Sequence, residues 1–502
     1  MIRFCYILLL LFFTAPLSIY AQTVSISDYE REDTRDMNFE IIGKINSNIL
    51  VYKNIRAKHK INIFDKDMKT LETVRLDFIP DRSFNIDFIT YADYFYMVYQ
   101  YQKGTILYCM AVKMDANAKR MSEPVELDTT RISIMADNKI YTTIYSEDRK
   151  KIMVFKIQTR YQKFSLQTLL FDNDMTLINK NRYLIEYNDR RESYDNFLLG
   201  NDGSLVFTYA KQSGNRDNSN TLGLVIKEPQ QKSFTYQDIA LNENYIDEIK
   251  LKIDNRNNRY IINTFYYKKN RGNIEGLFTY IWDKANAKTH ISQFTLLNDS
   301  LRYQAKSTGM LRFAFDNFFI RQVVVKGDGG FILAAENFTS DTRGNNNFNR
   351  YDYLYNPYSL SSGGYYYNPY AGYYRPLNNN NNQNTRYYYE NILVLSISKT
   401  GQLEWSKVIH KNQFDDNEEN FMSFSTMTSG GEIHFLFNDD RKYQVISNQG
   451  LKADGTITRY PTLKSDQKGY EFMPGLSKQT GANQIIIPCA YRNNICFAKL
   501  DF

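Results

Sequence analysis

The sequences DGGFILAAE (328–336) and NILVLSISKTGQLEWSKVI (391–409) decide the fold. The first contains a Gly-Gly turn followed by an apolar run, and the second contains two apolar runs separated by a Lys-Thr-Gly turn. Short runs of Ile, Leu, Val and Phe that are bounded by turn residues are typical of β-strands. Together with the apolar stretch 317–325 just upstream, they predict one antiparallel sheet of four strands.

The end of the third strand of this sheet has counterparts along the whole chain. An apolar pair followed by a short polar residue is found at 63–65, 113–115, 170–172, 225–228, 281–283, 396–398, 445–447 and 499–501. Most copies are about 50–57 residues apart, which is typical of the four-stranded blades of a β-propeller, and an insertion accounts for the one long interval. We therefore predict an all-β fold, a single-domain β-propeller of seven or eight four-stranded blades.

The last copy of the repeat lies at the C-terminus, so the final blade lacks its outermost strand. The segment 23–29 is the candidate for that strand. Closure of the ring in this way would remove exposed edges that would otherwise promote aggregation.

The tract Thr400-Gly401 followed by Trp405 resembles the TGxxxW signature of quinoprotein-type propellers, and the surrounding repeat resembles those of secreted bacterial propellers. The resemblance covers one blade. It implies that Trp405 packs between blades, and it implies nothing about quinone chemistry. The acidic residue usual before the turn is replaced by Ser398.

The N-terminus has the features of a secretory signal peptide. Arg3 precedes an unbroken apolar run at 7–13, and Ala21 is a suitable cleavage residue before Gln22. We expect residues 1–21 to be removed and 22–502 to form the propeller, in the periplasm or in an extracellular, outer-membrane-associated location. No later stretch is long and apolar enough for a membrane helix.

The charge and the motifs exclude several classes of function. The net charge of +7 is spread along the chain without basic blocks, which does not favour nucleic-acid binding. The four histidines are not at zinc-ligand spacing, and neither a nucleophile elbow nor a phosphate-binding glycine loop is present. We therefore expect no catalytic residue, no metal and no cofactor.

Two cysteines near the C-terminus flank a predicted hairpin. A tight turn at Arg492 and Asn493 would place Cys489 and Cys496 directly opposite each other, where a disulfide is possible in an exported protein. The alternative is that they are two small buried side chains. Cys109 lies in an apolar strand and is expected to be part of the core.

A long insertion at 340–390 separates the second and third strands of the repeat quoted above. It is rich in asparagine and tyrosine, and loops of this length are usually functional or disordered. Such a loop would emerge on the face that propellers commonly use for ligands, where tyrosine rings could form an adhesive patch. The candidate binding residues are Tyr365, Tyr366, Tyr367, Tyr370, Tyr373, Tyr374, Tyr387, Tyr388 and Tyr389.

Three functional hypotheses follow. The first is an exported, non-catalytic propeller that binds a protein or glycan of the bacterial cell envelope, as a monomer or in a larger complex. The second is a propeller hydrolase or lyase acting on glycans, with carboxylates at the central channel. The third is an outer-membrane β-barrel, suggested by the terminal aromatic Phe502 and disfavoured by strands that carry charges on both faces, as at 250–254.

Overall fold

A computed structural model describes residues 23–31, 37–81, 83–133, 140–160, 162–186, 191–212, 214, 218–305, 315–342, 350, 354, 385–416, 418–439, 442–465 and 467–502. The predicted signal peptide and residue 22 lie outside these ranges. In the described part, the chain consists mainly of antiparallel strands, with an α-helix (α1) at Asp299–Ala305 and a 3-10 turn at Pro474–Leu476. No helix in it is both long enough and apolar enough to cross a membrane.

The strands follow one another as four-stranded blades. Those of the first four blades, after the N-terminal strand β1 (Thr23–Ile26), are β2 Met37–Ile45, β3 Asn48–Ile55, β4 Lys58–Phe64, β5 Thr70–Arg75; β6 Ser83–Thr90, β7 Tyr94–Lys103, β8 Ile106–Asp115, β9 Val125–Arg131; β10 Tyr141–Tyr145, β11 Lys151–Arg160, β12 Lys163–Asp172, β13 Leu177–Glu186; and β14 Glu192–Leu199, β15 Leu205–Gln212, β16 Ser219–Lys227, β17 Thr235–Ile239.

The second half of the chain repeats this order. Its strands are β18 Tyr245–Asp254, β19 Arg259–Tyr267, β20 Ile274–Asp283, β21 Lys288–Leu296 in blade 5; β22 Phe318–Val325, β23 Phe331–Thr342, β24 Thr385–Ile397, β25 Leu403–Ile409 and the added β26 Gln413–Asp416 in blade 6; β27 Phe424–Ser429, β28 Glu432–Asn438, β29 Val445–Leu451, β30 Ile457–Arg459 and β31 Leu463–Lys464 in blade 7; and β32 Tyr470–Phe472, β33 Lys478–Gly481, β34 Gln484–Tyr491, β35 Asn494–Asp501 in blade 8.

The described strands therefore form eight blades arranged in a ring. Blades 4 and 5 belong to one continuous sheet through a single pair, Ser219 with Ile246. Innermost strands of neighbouring blades contact each other where β2 meets β6, β14 meets β18 and β18 meets β22, and β33 of blade 8 returns to contact β2. The protein is an eight-bladed β-propeller.

The N-terminal strand closes the ring. β1 is the outermost strand of blade 8 and pairs with β35 from Thr23↔Asp501 to Ile26↔Ala498. Ser27 continues the contact, since its amide donates to the Phe497 carbonyl at 2.9 Å and its hydroxyl accepts from the Phe497 amide at 3.0 Å. The pairing expected for the segment 23–29 is thus present from Thr23 to Ser27, and it covers the outer edge of β35.

Asp residues end the third strands because they accept backbone hydrogen bonds in the turn that follows. Asp65 Oδ1 accepts the amides of Asp67 and Lys69, both at 2.8 Å. Asp172 does the same for Asp174 at 3.0 Å and Thr176 at 2.8 Å. At Asp65 and Asp172, the repeated polar residue therefore stabilises the turn that leads into the outermost strand.

Neighbouring blades pack through their faces, and Trp405 is one such contact. Its indole Nε1 donates to the Ala453 carbonyl of blade 7 at 3.1 Å. Its ring covers Gly455, where an added Cβ would lie 2.9 Å from the indole. The packing between blades that the resemblance implied for Trp405 is observed.

The antiparallel order of the blades gives the ring two different faces. One face carries the connections between blades and the loops between second and third strands, and we call it the loop face. The other face carries the tight turns between first and second strands and between third and fourth strands, and we call it the turn face.

Candidate functional site

The base of the predicted insertion is ordered secondary structure on the loop face. β23 and β24 extend beyond the blade and stay paired up to Thr342 and Thr385. β26 adds to the tip of β24, with pairs from Arg386↔Asp416 to Tyr389↔Gln413. We call this three-stranded extension, formed by residues 338–342, 385–389 and 413–416, the platform. Residues 340–342 and 385–390 of the expected insertion at 340–390 therefore belong to strands.

A buried ion pair ties the insertion to the adjacent blade 5. Arg350 donates from Nε to Asp247 Oδ2 at 2.6 Å and from Nη2 to Asp247 Oδ1 at 3.3 Å, and Tyr267 donates to the same carboxylate at 2.6 Å. Nη1 of Arg350 also donates to the Phe318 carbonyl at 2.5 Å, and the guanidinium lies 4.1 Å from the ring centroid of Phe319. The side chains of Arg350 and Asp247 are 6% and 0% exposed.

The environment explains why Arg350 stays charged there. Burial disfavours a charged guanidinium, but Asp247 beside it raises the pKa of Arg350 above its usual value. Bidentate arginine–carboxylate contacts are among the strong hydrogen bonds of proteins. Arg350 therefore fixes one point of the insertion firmly on the propeller.

A small apolar cluster provides a second attachment point. Leu354 packs against a cluster of four buried residues, Phe319, Phe338, Tyr389 and Met422. Phe338 and Tyr389 belong to the platform, so Leu354 lies against the platform.

Beneath the platform lies a network of buried charges. Glu336 is fully buried and is 2.8 Å from Lys411 Nζ and 3.3 Å from Arg321 Nε. Lys411 also donates to the Tyr389 carbonyl at 3.0 Å and to Gln413 Oε1 at 2.9 Å. Burial lowers the pKa of Lys411, while Glu336 acts in the opposite direction. Through these bonds the network holds β26 and the tip of β24 in place.

Only the last three candidate tyrosines are in described residues, and they lie in β24. Tyr389 is 3% exposed, packs on Phe338 with ring centroids 4.7 Å apart, and donates to Glu419 Oε1 at 3.1 Å. It packs inside the protein, in place of the exposed ring that the sequence led us to expect. Tyr387 and Tyr388 are half-buried on opposite sides of the strand. The other six, Tyr365, Tyr366, Tyr367, Tyr370, Tyr373 and Tyr374, lie outside the described residues.

Carboxylates gather beside the platform on the loop face. Burial, followed by the negative charges of Asp415 and Glu471, raises the pKa of Glu418 to about 7. Tyr443 donates a short hydrogen bond to Asp415 Oδ2, and burial raises the pKa of Asp415 as well. Sequence reasoning missed this group because its members come from three different segments: Asp415 from β26, Glu418 from the connection after it, and Glu471 from β32.

The turn-face end of the ring contains a cavity of about 400 Å³. Lys252, Arg256 and Lys326 line it together with Glu147, whose Oε2 accepts from Asn255 Nδ2 at 2.7 Å. Its lining also includes Ile253 and Val323, so it is mixed in polarity as well as in charge.

The two C-terminal cysteines lie where the hairpin reasoning placed them. Cys489 and Cys496 are paired in register, and the turn residues Arg492 and Asn493 both have the positive φ of a tight hairpin, 48° and 63°. The two thiols are free and buried, with their Sγ atoms 2.7 Å apart. Cys109 is also buried, and burial raises the pKa of its thiol. A disulfide between Cys489 and Cys496 stays a prediction.

No protein-family model and no curated protein matches this chain. Among solved structures, it is similar to prolyl oligopeptidase B from Galerina marginata (9% identity, TM-score 0.41, covering 92% of this chain and 56% of that one). It is also similar to the dihydro-heme d1 dehydrogenase NirN (12%, 0.39, covering 92% and 70%) and to the polysaccharide lyase Uly1 (12%, 0.40, covering 82% and 89%). The chain thus spans little more than half the length of the first of these proteins. With such values, the fold assignment rests on the order and pairing of the strands described above.

Proposed function

We propose that this protein is an exported, non-catalytic binding module of the bacterial cell envelope, and that the loop face of its propeller presents the insertion between β23 and β24 to a protein or glycan partner. The observation that carries the proposal is the ion pair between Arg350 and Asp247. Export is supported by the signal-peptide features of residues 1–21.

The free energy needed to bury the ion pair distinguishes an insertion that is held in place for binding from a surface loop that has no function. A passive surface loop costs little stability and needs no fixed base. Burying a guanidinium and a carboxylate, in contrast, costs several kcal/mol per ion unless the geometry and the surrounding hydrogen bonds are good. Here the pair, Tyr267 and two backbone carbonyls meet that condition. An anchored base limits the volume that the segment explores and lowers the entropy lost on binding.

The test is a pull-down from envelope fractions with the mature protein and a variant in which residues 355–384 are replaced by a short Gly-Ser linker. This variant keeps Arg350 and Leu354, so the base stays attached. We expect a partner that the mature protein retains and the variant loses. Treating the envelope fraction with protease beforehand separates the two classes of partner, since a glycan survives and a protein does not. Identical partner sets for both proteins would contradict the proposal.

A second pair of variants separates the role of the aromatic rings from that of chain length. Changing the six tyrosines of 365–374 to serine should abolish retention of the partner. Changing the asparagines of 378–382 to serine should leave it intact, because these residues offer no ring faces. Equal loss in both variants would mean that the rings do not carry binding.

A second candidate function is cleavage of glycans, and Glu418 is the observation that favours it. A carboxylic acid with a pKa near 7 can donate a proton at neutral pH, as a glycosidase general acid does. Incubation with polysaccharides, followed by assays for new reducing ends and for the ultraviolet absorbance of unsaturated uronates, tests this. Product formation that Glu418→Gln abolishes would support an enzyme, and absence of product would exclude this role on the substrates used.

A further inference from the structure

A row of side chains crosses all four strands of blade 4. Tyr194 pairs with Tyr209, Tyr209 with Gly223, and Gly223 with Asp238. Residues paired across antiparallel strands project to the same face of the sheet. This face looks toward blade 3, because the Tyr194 ring lies 4.8 Å from that of Phe164.

Gly223 leaves a gap in the middle of this row. Its φ lies outside the left-handed region, so the backbone does not require glycine there. An added Cβ would meet the Gln237 carbonyl at 3.4 Å and Tyr209 Cδ1 at 3.5 Å, which are ordinary contact distances. Packing therefore does not require glycine either. A glycine inside a strand weakens it, and it often marks a bulge, a bend, or a place where a ligand or another backbone approaches closely.

The gap forms part of a cleft of about 350 Å³ between blades 3 and 4. Tyr209 and Tyr236 line its blade 4 side, and Ile185 and Glu186 line its blade 3 side. Tyr236 keeps 51% of its surface exposed although it is large and aromatic. The volume lies within the range of small-ligand clefts, about 300–1,000 Å³.

The chemistry of the cleft favours a ligand rich in hydroxyl groups over an anion or an apolar ligand. Its lining offers aromatic faces and the exposed carboxylates of Glu186 and Asp238, and it contains neither lysine nor arginine. Neither carboxylate forms a hydrogen bond or ion pair with another residue in the described parts of the chain. Carboxylate oxygens accept hydrogen bonds from hydroxyl groups, and an aromatic ring packs against the C–H face of a sugar. An anion would be repelled, and an apolar ligand would leave the carboxylates desolvated and unpaired.

We propose that the cleft between blades 3 and 4 binds a neutral saccharide, with Tyr236 and Tyr209 against the ring and Asp238 and Glu186 accepting from its hydroxyl groups. This site is separate from the platform and does not use the insertion.

Titration calorimetry with maltotriose, cellotriose and chitotriose, each added to the mature protein, tests the proposal. We expect at least one of the three to bind. Gly223→Val fills the gap with a side chain that favours strands, so it should lower the affinity at least ten-fold without lowering the melting temperature. Tyr236→Ala should have a similar effect on affinity, and it decides the matter if the valine variant does not fold. Tyr303→Ala, which removes an 81% exposed tyrosine on α1, is the matched control and should change nothing.

Binding of none of the three saccharides would overturn the proposal, as would an affinity that both Gly223→Val and Tyr236→Ala leave unchanged. The variant lacking 355–384 should bind the saccharide as the mature protein does, which keeps this test independent of the proposed function of the insertion. Loss of saccharide binding in that variant would place the site elsewhere.

Discussion

Removing one member of the Arg350–Asp247 pair should destabilise the propeller strongly. In Arg350→Ala, Asp247 keeps the hydrogen bond from Tyr267 but loses its counter-charge in a place where its side chain is 0% exposed. In Asp247→Ala, the guanidinium stays buried without a carboxylate. Breaking a buried pair in this way costs about 3–5 kcal/mol, and we expect about 3 kcal/mol for each variant.

The double variant separates the pair from its surroundings. If the two side chains interact mainly with each other, the double variant Arg350→Ala/Asp247→Ala should lose about 2 kcal/mol less unfolding free energy than the two single variants do together. Urea unfolding followed by tryptophan fluorescence measures these free energies. Trp282 and Trp405, in blades 5 and 6, are the two tryptophans of the chain and report on the region around the pair.

Arg386 with Asp416, on the platform, provides a matched control. Arg386 Nε lies 2.7 Å from Asp416 Oδ1, close to the 2.6 Å of the buried pair, but the two side chains are 45% and 60% exposed. Exposed ion pairs contribute little, so Arg386→Ala should leave the unfolding curve unchanged within error. Equal small effects of Arg350→Ala and Arg386→Ala, or strict additivity of the two buried single variants, would refute the reasoning about the anchor.

Three further predictions concern other parts of the molecule. The pKa of Glu418 in the folded protein, about 7, lies above its usual value of 4.5, so the free energy of unfolding should fall as the pH rises between these values. After allowance for solvent screening, urea titrations should show Glu418→Gln to be about 1 kcal/mol more stable than wild type above pH 7 and equal to it below pH 4.5. The opposite order of stability would contradict the raised pKa. Deleting residues 22–29 should lower the melting temperature by several degrees and promote aggregation, since β35 becomes an exposed edge; unchanged melting would mean that β1 does not close the ring. Oxidation of Cys489 and Cys496 to a disulfide closes a short loop and should raise the free energy of unfolding by about 2 kcal/mol, which unfolding with and without reductant measures. Thiols that still react with alkylating agents after oxidation and unfolding would show that no disulfide forms.

The fold followed from the sequence because its signals are local. The turn at Asp65 is formed by hydrogen bonds within five residues, and the hairpin register of Cys489 and Cys496 is fixed by the two residues at its tip. Closure by the segment 23–29 followed from counting strands per repeat. Seven and eight blades were harder to separate, because the insertion inside one repeat makes one interval between repeats about twice as long as the others.

The candidate site was less predictable because its contacts join residues far apart in the chain. Arg350 and Asp247 are 103 residues apart and belong to different blades. Arg350 is one of the few charged residues in a stretch rich in tyrosine and asparagine, which is the one sequence signal that points to it. Tyr389 is buried by Phe319, Phe338 and Met422, which are distant from it in the chain, and no pattern indicated the four-residue strand β26 that pairs beside it.

Hydrogen–deuterium exchange of the mature protein with and without the partner recovered in the pull-down tests the central claim most directly. The account predicts that the partner slows exchange in the platform, at residues 385–389 and 413–416, and in the insertion that it carries. Slower exchange confined to the turn face, around residues 252–256 and 326–328, with none on the platform, would contradict it.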